Sequence, residues 1–185
     1  HKATYLLTRS RQLIKNCVGA ENDTLALLAT QQPMAGDLRF LAAAFQISLE
    51  VGRVANHAGE IARISLNLGQ ARQPEVFGQL THMADAAIQM FHQAVGAFAD
   101  RDADLARVIA DQDDAIDDLY SYINQHLRTI SRMEPHLASQ TLFLSQVAHE
   151  LERVGDRSTN ICEWVLYAVT GKLIETNVEL RERTH

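Results

Sequence analysis

One helical stripe is written into the chain twice, one hundred residues apart. Apolar or small residues recur as Leu144, Val147, Leu151, Val154, Ser158, Ile161 and Val165, and again as Ala44, Ile47, Val51, Val54, Ala58, Ile61 and Ser65. Gln46/Gln146, Glu50/Glu150, Arg53/Arg153, Val54/Val154 and Ile61/Ile161 are identities across that offset. Steps of three and four residues are the period of a helix that buries one face. Their duplication means two copies of one helical unit. No segment alternates apolar and polar residues with period two, so no strand is expected.

The breakers stand where helices must stop. Pro33 follows "ATQQ", Pro74 sits in "GQARQPE", Pro135 follows "SRME", and Gly171 closes "LYAVTGK" in C-cap position. Asp102 precedes an apolar-periodic run and is a good N-cap. The pattern predicts five helices, over about 3–31, 35–69, 75–99, 103–132 and 136–170. Helices of this length exceed the globular norm and point to a long antiparallel bundle. The expected fold class is all-α, as tandem pseudo-repeated bundles: residues 1–70 a first, partial repeat, 75–172 a second, and 173–185 a solvated tail. The second repeat owns three helices and the first only two. A full first bundle therefore calls for one more N-terminal helix, from a longer chain or another molecule.

Composition narrows the class of function. A net charge of −6 argues against nucleic acid, whose binders carry a basic footprint. Hydrophobic content of 46% with 22% charged residues is that of a folded globular domain, not a disordered chain. No apolar run approaches the ~20 residues needed to span a bilayer, and no signal peptide is evident, so a cytoplasmic protein is expected. Cys17 and Cys162 are isolated, which disfavours disulfide scaffolds and zinc ribbons and leaves them as small buried hydrophobes.

Two acid pairs are the chemically informative feature. Glu152 and Asp156 lie four apart, so on a helix both carboxylates leave one face. At about 100° per residue they fall roughly 130–170° from the centre of the apolar stripe, with His149 beside them, on the face away from the core. In "DQDDAIDDLY", Asp113 and Asp117 sit about 60–100° from the Ile109–Ile116–Tyr120–Ile123–Leu127–Ile130 stripe, bordering a groove, whereas Asp114 and Asp118 point away as plain surface. Four unneutralised carboxylates on adjacent helices repel and raise one another's pKa. An oxygen-only set suits hard cations such as Mg, Ca, Mn or iron. Acid pairs at this spacing are also ordinary solubilising decoration, and spacing alone does not separate the two.

The motifs themselves carry a resemblance. "LERVGDRSTNICEWVLYAVTGK" (151–172) resembles the signature of the PhoU family of phosphate-transport regulators, roughly L-E-R-I-G-D-H-A-T-N-I-A-E with a T-G close. "QQPMAGDLRFLAAAFQISLEVGRVANHAGEIA" (31–62) is similar to that family's first-repeat segment, and "DDAIDDLY" (113–120) to its D-D-x-V-D-x-L-Y element. The resemblance implies tandem three-helix bundles and a non-enzymatic regulator of inorganic phosphate uptake that also represses the phosphate-starvation response. Its implied partners are the phosphate ABC transporter ATPase and a phosphate sensor histidine kinase, with a homodimer and membrane association through partners only. Its carboxylate motifs imply a metal ion held by Asp113, Asp117, Glu152 and Asp156, as an iron or zinc cluster, with Mg, Mn or Ca as alternatives. Arg153 and Arg157 are expected to point to either side of that patch. The first repeat departs from the pattern: Gly52 and Asn56 stand where the family has acids, and Ser10 and Ile14 carry no acid pair. Metal is therefore expected in the second bundle alone, with Glu50, His57 and Glu60 as surface residues.

Two rivals and one variant remain. "AHELERV" (148–154) is similar to the histidine phosphotransfer and kinase dimerisation box, which makes an exposed His149 a phospho-acceptor, although the T-P that follows that box is missing. A ferritin-like di-metal oxygenase would need Glu-x-x-His pairs aimed into the core, and no internal face offers them. A PhoU-like regulatory domain of another transporter would share every motif above.

Overall fold

The computed structural model describes residues 2–68 and 74–172, and these are helical almost throughout, with no strand among them. The elements are α1 (Lys2–Gln31), α2 (Gly36–Asn67), α3 (Pro74–Asp100), α4 (Ala103–Ala110), α5 (Asp113–Met133), a 3-10 turn (Pro135–Leu137) and α6 (Ala138–Thr170). The expected boundary near residue 70 and the tail 173–185 lie outside the described residues. The stop signals act as the sequence predicts. The Asp102 side chain accepts from the backbone N–H groups of Asp104 and Leu105 at 3.1 and 2.9 Å, capping α4. Gly171, at φ 76°, closes α6 in the left-handed conformation that glycine adopts without steric cost.

One expected helix is two. The segment expected over 103–132 breaks at Asp111–Gln112, where Gln112 N–H donates to Ile109 O at 3.0 Å and Ala115 N–H to Gln112 O at 3.2 Å. These three-residue bonds overwind the turn. No glycine or proline marks the place. Clustered Asp residues are poor in a helix interior but favourable in a first turn, and the break puts Asp113 and Asp114 there.

The core belongs to the second repeat. α3 contributes an unbroken heptad of Val76, Leu80, Met83, Ala87, Met90, Ala94 and Ala97, all between 0 and 6% exposed. It meets Ile116, Ile123 and Leu127 of α5 and Leu144, Ala148, Ile161 and Val165 of α6. α6 is the hub, packed against α2, α3, α4 and α5, while α1 packs chiefly on α2.

The two repeats meet along α2 and α6, and the offset of one hundred reappears there as paired contacts. Arg157 donates to Glu50 Oε2 at 3.3 Å, and the equivalent positions, His57 and Glu150, pair at 2.7 Å. That register requires the two helices to run antiparallel about a local pseudo-twofold axis. Ala55/Gly155, Gly59/Thr159 and Ala62/Cys162 are buried at matching positions.

A candidate carboxylate site between α5 and α6

Gly155 sets the closeness of α5 to α6. A Cβ built there would stand 2.8 Å from Asp113 Oδ1 and 3.2 Å from Ile116 Cδ1, so only glycine lets α5 approach this far. Asp113 is thereby pressed into the inner wall of the site, 8% exposed, and its Oδ1 has no hydrogen-bond partner. Burial, and then the charge of Asp117, push its carboxyl up to about 6, with the neighbouring Thr159 hydroxyl acting in the opposite direction.

The other three acids lie along the same seam. Asp117 follows one turn further on α5, exposed at the surface. The part of its carboxyl that the protein covers, and then Asp156, raise its pKa. Glu152 and Asp156 on α6 have side chains only 20% and 28% exposed. Burial, then Asp156, raises Glu152, against the lowering influence of His149 and Arg153. Their expected position away from the core is thus corrected: the face opposite the stripe is half-buried. A wheel for one helix locates its stripe but not its number of neighbours, and α6 has four. Asp114 and Asp118 are exposed, as expected.

Nitrogen donors already lie on the cluster. Arg153 Nη1 donates to Asp156 Oδ2 at 2.5 Å, and His149 Nδ1 stands 3.4 Å from Glu152 Oε2. Arg157 turns away to Glu50 on α2, so the two arginines do not flank the patch symmetrically: one lies on it and one has left. Among the described residues no three His, Cys, Asp or Glu side chains converge closely enough to share one ion. The donor chemistry nonetheless fits a hard cation: all-oxygen, mutually destabilised as anions, with an unpartnered oxygen on the buried wall.

The first repeat lacks this construction. Ser10 Oγ lies 3.0 Å from a Cβ built at Gly59, the counterpart of Thr159, so a serine occupies the place that Asp113 holds in the second repeat. A Cβ at Gly52 would meet only Cys17 Cβ, at 3.8 Å. The expectation that Glu50, His57 and Glu60 are surface residues is corrected in part. Glu50 is 5% exposed and His57 half-buried, because α2 lies against α6; Glu60 remains partly exposed, paired with Arg63 at 2.8 Å. Residues the sequence reading passed over are Gly155, Thr159 and the Glu50–Arg157 pair. The identity of Glu50 with Glu150 across the repeat was the available signal. Cys17 and Cys162 are buried, and burial raises both thiols, Cys162 to about 12.

Comparison with known proteins supplies an independent line. Residues 80–165 match the family model described as PhoU domain. The phosphate-specific transport system accessory protein PhoU homolog of Clostridium acetobutylicum is 33% identical over 159 residues, covering 85% of this chain and 72% of that protein. The crystal structure of PhoU from Pseudomonas aeruginosa superposes with a TM-score of 0.81 at 28% identity, over 90% of this chain and 82% of the other. That of the phosphate transport system regulatory protein PhoU from Streptococcus pneumoniae gives 0.83 at 25% identity, over 94% and 81%.

Proposed function

This chain belongs to the PhoU family, and from that premise we propose that it is an accessory, regulatory protein of phosphate transport. The observation that carries the reading is the similarity to PhoU proteins across both repeats, in sequence and in fold together. The protein restrains uptake and keeps the phosphate-starvation response off when phosphate is plentiful. It does so by docking to the ATPase of the phosphate ABC transporter and to the sensor kinase, as a homodimer on the cytoplasmic side. No described helix is long and apolar enough to cross a membrane, which accords with attachment through partners. It is a docking module and not an enzyme; its two thiols, buried and raised, are poor nucleophiles.

Docking depends on a cation in the second repeat. Asp113, Asp117, Glu152 and Asp156 would hold it, as an iron or zinc cluster or with Mg, Mn or Ca instead, and their side chains would have to draw closer together than they stand here to share one ion. When bound it would offset part of the cluster's negative charge and supply a Lewis-acidic anchor for an acidic partner. Asp113 forms the buried wall, Gly155 permits its approach, and Glu152 and Asp156 present the outer oxygens.

Deletion tests the regulatory role: starvation genes should be expressed constitutively in phosphate-rich medium. Normal repression in the deletion strain, with no binding to transporter or kinase, refutes it. The Glu152→Gln, Asp156→Asn double variant should lose bound metal with its helicity unchanged. His149, with its side chain 53% exposed and its Nδ1 turned to Glu152, favours one second reading, phosphotransfer. An acid-labile label on His149 after incubation with a phosphodonor would support that instead.

A further inference from the structure

The same arginine occurs twice in this molecule, in two orientations. Arg53 and Arg153 are equivalent through the repeat, as are Glu50 and Glu150. In the second repeat Arg153 reaches three residues forward to Asp156 Oδ2, at 2.5 Å. In the first repeat Asn56 stands at the position of Asp156, and Arg53 turns three residues back, to Glu50 Oε1 at 2.6 Å. Glu50 accepts Arg157 on its other oxygen, as Glu150 pairs through Oε2 with His57. Among the described residues no hydrogen bond reaches Glu150 Oε1. The second repeat thus retains the acceptor that the first repeat uses for this arginine.

Electrostatics selects between the two positions. Asp156 lies among Asp117, Glu152 and Asp113, so the local field draws a guanidinium forward. Asn56 exerts no such pull. A cation among the carboxylates weakens that field and repels a guanidinium at the same oxygen, because two like charges at contact distance are strongly unfavourable. The cluster itself is more than an acidic decoration, since the buried Asp113 turns an unpartnered oxygen to its inner wall.

We propose that Arg153 is a two-position gate on the carboxylate site: paired with Asp156 it competes with a cation, and a cation that takes Asp156 turns it back to Glu150. The gate rests on the reading of the four carboxylates as a cation site. Turned back, Arg153 gives Glu150 the two partners that Glu50 already has, one from its own helix and one from across the α2–α6 seam. Cation occupancy in the second repeat and contact between the repeats then share one side chain.

The test is Mn2+ binding to the full chain, as wild type, Arg153→Gln, Arg153→Met and the control Arg63→Gln. Both Arg153 variants should bind Mn2+ about fivefold tighter, the order of effect expected for a half-exposed ion pair removed from competition. Arg63→Gln removes the same charge from an exposed pair with Glu60 and should leave affinity unchanged. Structure determination of Asp156→Asn should find the Arg153 guanidinium on Glu150, as Arg53 lies on Glu50 beside Asn56. Arg153 variants no tighter than wild type, while Asp156→Asn still loses Mn2+, overturn the gate and leave the cation site standing. A wild type that binds no Mn2+ removes both. Arg153 found away from Glu150 in Asp156→Asn overturns the gate by itself.

Discussion

Replacing Gly155 by alanine isolates the contact on which the candidate site is built. In an exposed helix interior the change would stabilise by about 1 kcal/mol, since alanine gives up less backbone entropy. At Gly155 the new methyl meets Asp113 Oδ1 at 2.8 Å and Ile116 at 3.2 and 3.4 Å. Neither neighbour is a flexible tip: Asp113 and Ile116 are both buried on α5. Forcing one methyl into such packing costs about 1–3 kcal/mol, so the net effect falls between neutral and about 2 kcal/mol of destabilisation. Gly52→Ala, at the equivalent position of Glu152, has only Cys17 Cβ at 3.8 Å before it and should gain the full helix-propensity increment. The two alanine variants should therefore differ by about 2 kcal/mol, or about 4–8 °C in Tm for a chain of this size. Urea titration followed by far-UV circular dichroism reads the difference. Adding Asp113→Ala to Gly155→Ala removes the opposing oxygen and should recover much of the loss, a coupling that distant sites do not show. Equal stability of Gly155→Ala and Gly52→Ala would falsify the claim that glycine is needed for α5 to close.

Three further outcomes follow from the same geometry. Asp113 is raised to about 6, so the folded state holds a proton that the unfolded chain releases nearer pH 4. Its contribution is unperturbed below about pH 4, falls as pH rises towards 6, and stays unfavourable above, by an amount on the order of 3 kcal/mol; Asp113→Asn should flatten that loss in a stability–pH series, and an unchanged slope refutes it. Glu50→Ala strands Arg157, whose side chain is only 13% exposed, and should cost about 3–5 kcal/mol, against less than about 1 for Glu60→Ala at its solvent-exposed pair. Cys162, fully buried with its thiol raised to about 12, should resist a thiol-specific reagent at neutral pH until the chain unfolds; rapid labelling of the native protein contradicts its placement.

Local signals alone determined that this chain is helical, that it repeats, where Pro33 and Gly171 stop its helices and where Asp102 starts one, because those signals act within a few residues of themselves. The acid spacing likewise fixed Glu152 with Asp156 on one side of α6, and Asp113 with Asp117 on one side of α5. The break at Asp111–Gln112 was not legible in this way, since no glycine or proline announces it and the gain lies in carboxylates reaching the first turn of α5. Burial was decided by tertiary packing. A helical wheel for α6 says which residues are apolar, whereas four neighbouring helices leave Glu152 and Asp156 half-covered and place Glu50 of the other repeat beneath Arg157. The partner of each charge was decided there too: Arg53 and Arg153 are equivalent through the repeat and each has a glutamate three residues before it, yet Arg53 pairs back to Glu50 beside the neutral Asn56 and Arg153 pairs forward to the charged Asp156. Field and packing at a point sum over every element that reaches it, and a single helix carries no record of the others.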